Sequence, residues 1–318
     1  MVRNKEDFSF STCWNIKKHR NGRAMLEEIM ELGFRNVELN YNVTREHLTT
    51  IEPMIENGAI GISSVHHAFP YIDDTDFDTD SPMLGYEDED KRRRALDLLK
   101  QSVEYAVRYG AKAVVVHPGE VPFPDNIDAR LKDIYKNQGR NSEAYATLWT
   151  TMLEQRQSQA PQNLERIHRS LEEISDFIEQ KGYKVAIGIE TRARCYQIPT
   201  LREAEWLTGR LKGSPVGLWY DIGHAMMMER MGLYENLRDL KELELPLAGV
   251  HIHETIGLSD HWCPYVHSGL DDFDVFLDMI HKAPVRVYEL KSACLPEEIE
   301  QSHNQIMNKL LVLEGQAK

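Results

Sequence analysis

The chain has 318 residues, a formal net charge of -14 and 42% hydrophobic residues. This apolar fraction is enough for a packed core, which excludes a chain that is disordered throughout. An acidic surface repels polyanions on average, so the charge balance argues against a general binder of nucleic acid or of anionic membranes.

The four cysteines are far apart in the sequence and form no CxxC pair, which favours a reduced, cytoplasmic protein. The N-terminal residues lead into no apolar segment, so we expect no signal peptide. No apolar run approaches the length of about 18 residues that a membrane span needs. We therefore expect a cytoplasmic protein without membrane partners, and a homo-oligomer is left open.

Short apolar runs alternate with segments of helical periodicity along the whole chain. Five of the helical segments end at or beside a glycine, which is typical of helix C-termini. The predicted helices are 22–32, 43–56, 91–109, 163–181, 200–211 and 296–313. The predicted strands are 8–14, 36–41, 62–68, 113–117, 184–191, 216–221, 248–254 and 285–291.

Eight strand–helix units predict parallel strands joined by crossover helices. Eight is the strand number of a closed barrel, whereas a doubly wound sheet more often has about five to seven strands. We therefore predict an α/β protein, a single (β/α)8 TIM barrel domain over residues 1–318.

Two long loops are predicted after the third and the fourth strand, at 73–90 and 120–162. The first is acidic, and the second contains three prolines and an extra helix predicted around 142–157. Both follow strands, so both would lie at the C-terminal mouth, where barrels hold their active sites. We interpret them as segments that cover or shape the site; the alternative is a surface insertion without function.

Four consecutive predicted strands each carry one side chain at the C-terminal end that can bind a metal ion. A charged group after an apolar strand is costly to bury unless it is paired or bound to a cation. Three converging carboxylates repel one another, and a divalent cation removes this repulsion. Three oxygens and one imidazole suit one Mn²⁺, Mg²⁺ or Co²⁺ ion, and Zn²⁺ also fits. The predicted ligands are Glu190, Asp221, His251 and Glu289.

Histidines lie at the ends of the earlier strands as well. His66 and His67 end the third strand, His117 ends the fourth, and His224 follows the sixth. A single histidine is more often a hydrogen-bonded structural residue than a ligand, so this hypothesis depends on their shared position at strand ends.

Two basic residues share strand faces with two of the predicted ligands. Arg192 lies two residues beyond Glu190, and Lys291 lies two residues beyond Glu289. They are either counter-ions for the carboxylates or groups that bind an anionic or polyhydroxyl substrate.

Seven short motifs follow one another along nearly the whole chain: ELGFRNVEL (31–39), VHHAF (65–69), HPG (117–119), IET (189–191), DIGHA (221–225), HIHE (251–254) and YELK (288–291). This ordered set resembles the xylose isomerase-like barrel superfamily. That group includes sugar isomerases and epimerases, inosose dehydratases, hydroxypyruvate isomerases and endonuclease IV-type apurinic endonucleases. The resemblance implies a shared metal at the same four ligands. The family pattern His-x-Asn/Lys-Asp is similar to residues 251–254, which selects His251 rather than His253 as the ligand.

The resemblance implies an isomerase or epimerase of a small sugar or hydroxyketone. Such an enzyme removes a C–H proton to give an enediolate, whose charge the metal stabilises. Family epimerases use the first and last metal-site glutamates for this step, which implies Glu190 and Glu289 as catalytic residues. The residues expected to bind the carbohydrate-like substrate are His67, His117, His224, His253, Arg192 and Lys291.

An apurinic endonuclease with three zinc ions is an alternative. His67, His117 and Glu190 match its first metal site, so a second ion could be bound at His67 and His117. Its third site needs an aspartate where this chain has Tyr265, and only His267 could serve there. A metal-dependent lyase or dehydratase of a polyol-type substrate is a further alternative, because it uses the same enolate chemistry. The intact metal set disfavours a non-catalytic relative.

Overall fold

Eight parallel strands close into a barrel in this computed structural model, which describes residues 4–268 and 272–316. The strands follow one another around the barrel in chain order, and the last pairs with the first. This confirms the predicted (β/α)8 fold. The strands are β1 (Ser9–Ser11), β2 (Asn36–Leu39), β3 (Gly61–His66), β4 (Ala113–Val116), β5 (Ala186–Glu190), β6 (Val216–Asp221), β7 (Leu247–Ile252) and β8 (Arg286–Tyr288).

Most of the strands are shorter than their apolar runs predicted. The run 8–14 forms β1 only over three residues, and the chain then makes a 3-10 turn at Thr12–Trp14. The Ser11 hydroxyl accepts a hydrogen bond from the Cys13 amide at 3.4 Å and so begins that turn. Apolar residues beyond a strand remain buried without ladder partners, so hydrophobicity alone overestimates strand length.

Helices connect the strands and form the outer layer. The predicted C-terminal glycines Gly33, Gly58, Gly110, Gly182 and Gly213 all have positive φ, which confirms them. The helices are α1 (Gly22–Glu31), α2 (Arg45–Glu56), α3 (Glu89–Arg108), α4 (Ile127–Gln138), α5 (Glu143–Lys181), α6 (Leu201–Arg210), α7 (Ile222–Met231), α8 (Asn236–Glu242), α9 (Leu277–Lys282) and α10 (Pro296–Gln316). Among the described residues, none of the helices combines the length and the apolar character that a membrane crossing requires.

Helix α5 corrects the prediction for residues 120–162. That segment is not a long loop, because α4 and the first half of α5 occupy most of it. The two helices predicted at 142–157 and 163–181 are one helix of 39 residues with Pro161 inside it. Proline removes one helical hydrogen bond, but the buried face continues on both sides of it through Met152, Ala160 and Ile167.

The acidic segment after β3 lies at the mouth of the barrel, as predicted. It contains two 3-10 turns, Thr75–Phe77 and Met83–Gly85, whose apolar side chains are buried. Between these turns, Thr79 and Asp80 line the same cavity as Glu190. The segment is therefore packed against the barrel and contributes polar groups to the cavity wall.

The indole of Trp219 fills the barrel interior below the C-terminal mouth. Trp219 on β6 is fully buried, and its ring lies 5.2 Å from the ring of His251 in an edge-on arrangement. A Cβ atom at Gly249 would lie 2.3 Å from this indole, and one at Gly188 would lie 2.9 Å from it. These glycines thus leave the space for a large apolar floor beneath the polar strand ends.

Candidate metal centre

The four predicted metal ligands lie together at the C-terminal ends of β5 to β8. Glu190 and Asp221 are the last residues of β5 and β6, His251 is the penultimate residue of β7, and Glu289 directly follows β8. One ligand atom from each side chain lies within 4.8 Å of all the others, and all four side chains are buried. The parallel ladder, in which Asp221 is in register with His251, brings them to one height.

Nδ1 of His251 faces all three carboxylates. It lies 3.3 Å from Oε1 of Glu190, 3.4 Å from Oδ2 of Asp221 and 3.2 Å from Oε2 of Glu289. In metalloproteins, carboxylate oxygens and an imidazole nitrogen together form a common ligand set for a divalent cation. The residues present therefore fit one such ion.

Glu38 on β2 belongs to the centre, although sequence reasoning assigned it no function. Its carboxylate oxygens lie 3.1 and 3.2 Å from Nε2 of His251, and Oε2 accepts a hydrogen bond from the Ser64 hydroxyl at 2.8 Å. Metal-binding histidines usually donate their second ring N–H to such a partner. The available signal was an acidic residue within the apolar strand β2.

Burial and mutual proximity set the charges of these groups. Burial raises the pKa of Glu190, but His117 and His251 outweigh it and hold the pKa well below its usual range. Burial lowers the pKa of His251, but Glu289, Glu38 and Glu190 outweigh it and hold the pKa well above its usual range. The pKa of Glu289 is raised by burial and by the neighbouring carboxylates of Glu190 and Glu38, although His251 and His261 oppose this. Without a cation, the raised pKa values of His251 and Glu289 therefore favour protonation of these two side chains.

His253 contacts Asp221 rather than the cavity. Its Nδ1 accepts a hydrogen bond from the His261 amide at 2.9 Å, so the proton is on Nε2, which lies 2.8 Å from Oδ1 of Asp221. Both ring nitrogens are thus engaged, and the ring is fully buried. His251 thus faces three carboxylates, whereas the protein occupies both ring nitrogens of His253; substrate binding by His253 stays a prediction.

His66, and not His67, points into the barrel. Alternate residues of a strand face opposite sides, and Nε2 of His66 lies 3.2 Å from Oε2 of Glu190. The ring of His67 faces outwards, where Nδ1 lies 2.9 Å from the Ser102 hydroxyl of α3. The other nitrogen of His67 has no hydrogen-bond partner among the described residues. His67 therefore lies outside the residues that line the cavity, whereas His66 lines it and contacts Glu190.

His117 and His66 form a second group around Glu190. Nε2 of His117 lies 2.7 Å from Oε2 of Glu190, and the three side chains have ligand atoms within 4.8 Å of one another. Arg192 contacts the same nitrogen of His117 through its guanidinium. Burial and this guanidinium lower the pKa of His117 to about 3, although the carboxylate of Glu190 opposes the shift. The fixed charge of Arg192 competes with a second cation at this position.

Arg192 and Lys291, the two basic residues that the sequence placed beside the metal ligands, have different surroundings. Arg192 donates a hydrogen bond to Oδ1 of Asp80 at 2.6 Å and lies 4.0 Å from Oε1 of Glu190, so it is a counter-ion that also lines the cavity. Lys291 donates to the Ser259 hydroxyl at 2.9 Å, and its ammonium lies 4.1 Å from the centre of the Trp262 ring.

A cavity of about 340 Å³ is lined by Glu190 and Glu289, two of the four predicted ligands. His224, at the N-terminus of α7, lines it and directs Nδ1 to the Thr191 carbonyl at 3.1 Å. Sequence reasoning missed several residues of the wall because they lie on connections rather than strand ends. The wall includes Tyr41, Asp80, Arg194, Gln197 and His261.

A family model described as a xylose isomerase-like TIM barrel matches residues 26–302. The chain belongs to this family. No curated protein matches the sequence significantly. The fold is similar to a D-tagatose 3-epimerase-like protein, with 17% identity, 98% of this chain and 100% of that chain covered, and a TM-score of 0.65.

Two further solved structures have the same fold as this xylose isomerase-like barrel. One is the 3-keto-D-glucoside 4-epimerase YcjR from E. coli, with 16% identity, 95% of this chain and 99% of that chain covered, and a TM-score of 0.64. The other is the IOLI protein with a bound zinc atom, with 16% identity, 96% and 95% covered, and a TM-score of 0.58. At these identities the likeness establishes the fold of the chain.

Proposed function

We propose that this xylose isomerase-like barrel is a divalent-metal-dependent isomerase or epimerase of a small sugar or hydroxyketone that works through an enediolate. The observation that carries this proposal is the buried convergence of Glu190, Asp221, His251 and Glu289 beside a cavity of about 340 Å³ that Glu190 and Glu289 line. A cavity of this size accommodates a small carbohydrate. The fold similarity to two proteins with epimerase in their names supports the same class.

The proposed metal ligands are Glu190, Asp221, His251 and Glu289, for one Mn²⁺, Mg²⁺, Co²⁺ or Zn²⁺ ion. A bound cation would supply Lewis-acid stabilisation of the negative charge that develops on the substrate oxygens. Glu38 holds Nε2 of His251 and keeps Nδ1 directed at the carboxylates. The zinc atom in the similar IOLI structure supports a divalent ion in such a barrel.

Glu190 and Glu289 are the proposed pair for proton transfer. They are carried by β5 and β8, on separated parts of the barrel rim, so they can approach a substrate from different sides. Their environments move their pKa values in opposite directions, with that of Glu190 held low by His117 and His251 against burial, and that of Glu289 raised by burial. Such a separation suits one group that accepts a proton and one that returns it.

The proposed substrate-binding residues surround this pair. His224 presents Nε2 to the cavity, because its Nδ1 donates to the Thr191 carbonyl. His66 and His117 contact Glu190 from the other side, and Arg192 and Lys291 line the rim. We expect the histidines to bind hydroxyl groups of the substrate. We expect the side chains of Arg192 and Lys291 to bind its far end.

A second candidate function is favoured by one observation. The group of His66, His117 and Glu190 could hold a further ion, as an apurinic endonuclease of this superfamily would need. The guanidinium of Arg192 against His117 opposes that ion, and the net charge of -14 opposes DNA binding.

A lyase or dehydratase of a polyol-type substrate is a third candidate, because the same carboxylates could assist an elimination.

The test begins with elemental analysis of the purified chain. The metal-free protein is then reloaded with Mn²⁺, Co²⁺, Mg²⁺ or Zn²⁺ and incubated with ketopentoses, ketohexoses, keto-glycosides and small hydroxyketones. Product formation and deuterium incorporation from deuterium oxide are followed by NMR. We expect an isomer or epimer to form with metal and not without it. An unsaturated product would support the lyase instead, and no reaction with any carbonyl sugar would contradict the proposal.

A further inference from the structure

The chain makes an antiparallel hairpin directly after β7. The hairpin strands are Glu254–Ile256 and Ser259–Trp262, and Gly257 in the turn has a φ of 62°. We call this segment the 254–262 hairpin. The Thr255 hydroxyl donates to the Gly223 carbonyl at 2.6 Å, which attaches the hairpin to α7. The hairpin therefore packs against the first turn of α7, which directly follows β6.

His261 of the 254–262 hairpin has a backbone conformation that is uncommon for residues other than glycine. Its φ is 60°, in the left-handed region that most side chains avoid. The backbone of His261 is bonded on both sides: its N–H donates to Nδ1 of His253 at 2.9 Å, and its carbonyl accepts from the Lys291 amide at 2.9 Å. Backbone strain of this kind persists where surrounding contacts determine it and clusters at functional sites.

The side chain of His261 is bonded to Glu289. Its Nδ1–H donates to the Glu289 carbonyl at 2.8 Å, and the same nitrogen lies 3.7 Å from Oε2 of the Glu289 side chain. Nδ1 of His261 therefore contacts both the backbone carbonyl and the side-chain carboxylate of Glu289. The His261 ring also stacks on that of His253, with centroids 4.1 Å apart and an interplanar angle of 17°.

A second connection leads from His261 to Asp221. The His261 amide occupies Nδ1 of His253, so the ring of His253 must carry its proton on Nε2. That N–H donates to the Asp221 carboxylate, at 2.8 Å from Oδ1. The backbone of His261 thus fixes the tautomer of the residue that orients Asp221.

We propose that His261 is a positioning residue that holds Glu289 and Asp221 at metal-binding distance and so sets the affinity of the centre for its cation. This inference rests on the metal centre of the proposed function and adds the hairpin to it. Partners of metal ligands have this effect because they fix the orientation of the ligand before the ion arrives.

The test measures Mn²⁺ binding to the metal-depleted full-length chain by isothermal titration calorimetry, without any substrate. Two substitutions distinguish the contribution of Nδ1 of His261 from that of Nε2. His261→Asn keeps an N–H donor near the position of Nδ1, and asparagine tolerates positive φ. His261→Gln extends its amide to the position of Nε2 and loses the bond to the Glu289 carbonyl. The matched control is His267→Asn, because His267 contacts Trp262 and Glu298 but none of the four ligands.

We expect His261→Gln to weaken Mn²⁺ binding by on the order of 10- to 100-fold, while His261→Asn stays within about threefold of the wild type. The control should bind Mn²⁺ as the wild type does. Circular dichroism should be unchanged in all variants, since the barrel strands do not depend on this side chain.

Equal Mn²⁺ affinity in His261→Gln and the wild type would overturn the inference and leave the proposed function intact. Loss of Mn²⁺ affinity in His261→Asn but not in His261→Gln would also overturn it, because Nε2 would then be the important atom and His261 a ligand. Equal losses in both variants would overturn it as well, because a donor at the position of Nδ1 would then not preserve the centre. If the wild type itself bound no divalent cation, the metal centre would be wrong and the inference with it. A folded wild type that binds Mn²⁺ but converts no sugar would contradict only the proposed function.

Discussion

Glu38 Oε1 lies 3.1 Å from Nε2 of His251, on the side of the ring opposite the three other carboxylates. This contact leaves Nδ1 as the nitrogen that faces the proposed metal position. The pKa of His251 is lowered by burial but raised further by Glu289, Glu38 and Glu190, and the net shift is well upwards. In the metal-free protein, a proton on His251 therefore takes the place of the cation.

Metal binding should consequently release protons. Because the pKa of His251 is raised on folding, its protonation stabilises the metal-free fold below the unfolded pKa, and this contribution is lost as the pH rises through the folded pKa. The metal needs the free lone pair of Nδ1, so its affinity should increase with pH up to that value. Calorimetric titration with Mn²⁺ in two buffers of different ionisation enthalpy at one pH measures the proton count. Binding without net proton release would contradict this assignment of charge.

Removal of either ionised carboxylate should remove the metal. Glu190→Ala or Asp221→Ala is expected to reduce bound metal from about one ion per chain to near zero and to abolish activity, while the barrel remains folded. Elemental analysis and circular dichroism test the two parts separately. The control is Glu165→Ala, because Glu165 is exposed on α5 and, among the described residues, forms an ion pair with Arg210 alone. A variant without Glu190 that keeps its full metal content would contradict the ligand assignment.

Glu289→Gln should separate binding from turnover. The substitution keeps the shape of the side chain and one oxygen ligand but removes the group that exchanges a proton. Turnover is expected to fall by about 10²- to 10⁴-fold, the usual contribution of a positioned base, while metal and substrate still bind. Steady-state kinetics and solvent deuterium incorporation measure this. Near-full activity in a metal-loaded variant would move the proton transfer to Glu190 or His224.

The neighbours His66 and His67 should respond differently to substitution. His66→Ala removes a contact of Glu190 and is expected to reduce metal affinity or turnover. His67→Ala removes the bond to Ser102 and leaves a cavity against α3, which should lower the free energy of unfolding by about 2–4 kcal/mol. Urea unfolding and metal titration of both variants test this contrast. A loss of metal in His67→Ala with unchanged stability would restore His67 to the site.

The protein should not cleave abasic DNA. At physiological salt we expect no incision of an abasic-site duplex above background, because the net charge of -14 repels the phosphate backbone. The assay compares the wild type with Glu190→Gln in the presence of Zn²⁺ or Mn²⁺. Metal-dependent incision that disappears in Glu190→Gln would favour the endonuclease over the isomerase.

Much of the fold could be predicted because its signals are local. Eight apolar runs and the glycines that end the helices depend only on neighbouring residues, and the structure confirms both. The continuous helix α5 could not be predicted in the same way. Its Pro161 is a local signal for a break, and the packing of a buried face against the barrel overrides it.

The sequence by itself determined that Glu190, Asp221, His251 and Glu289 would lie at one height, because the alternation of strands and helices places the C-terminal ends of parallel strands on one rim. Only the tertiary structure decided which of two adjacent histidines faces inwards, since a shift of one residue reverses the side of a strand. Only the tertiary structure also placed Glu38 beside His251 and His261 beside Glu289. Their contacts with His251 and Glu289 join residues far apart in the chain, and such contacts depend on barrel closure rather than on any local pattern.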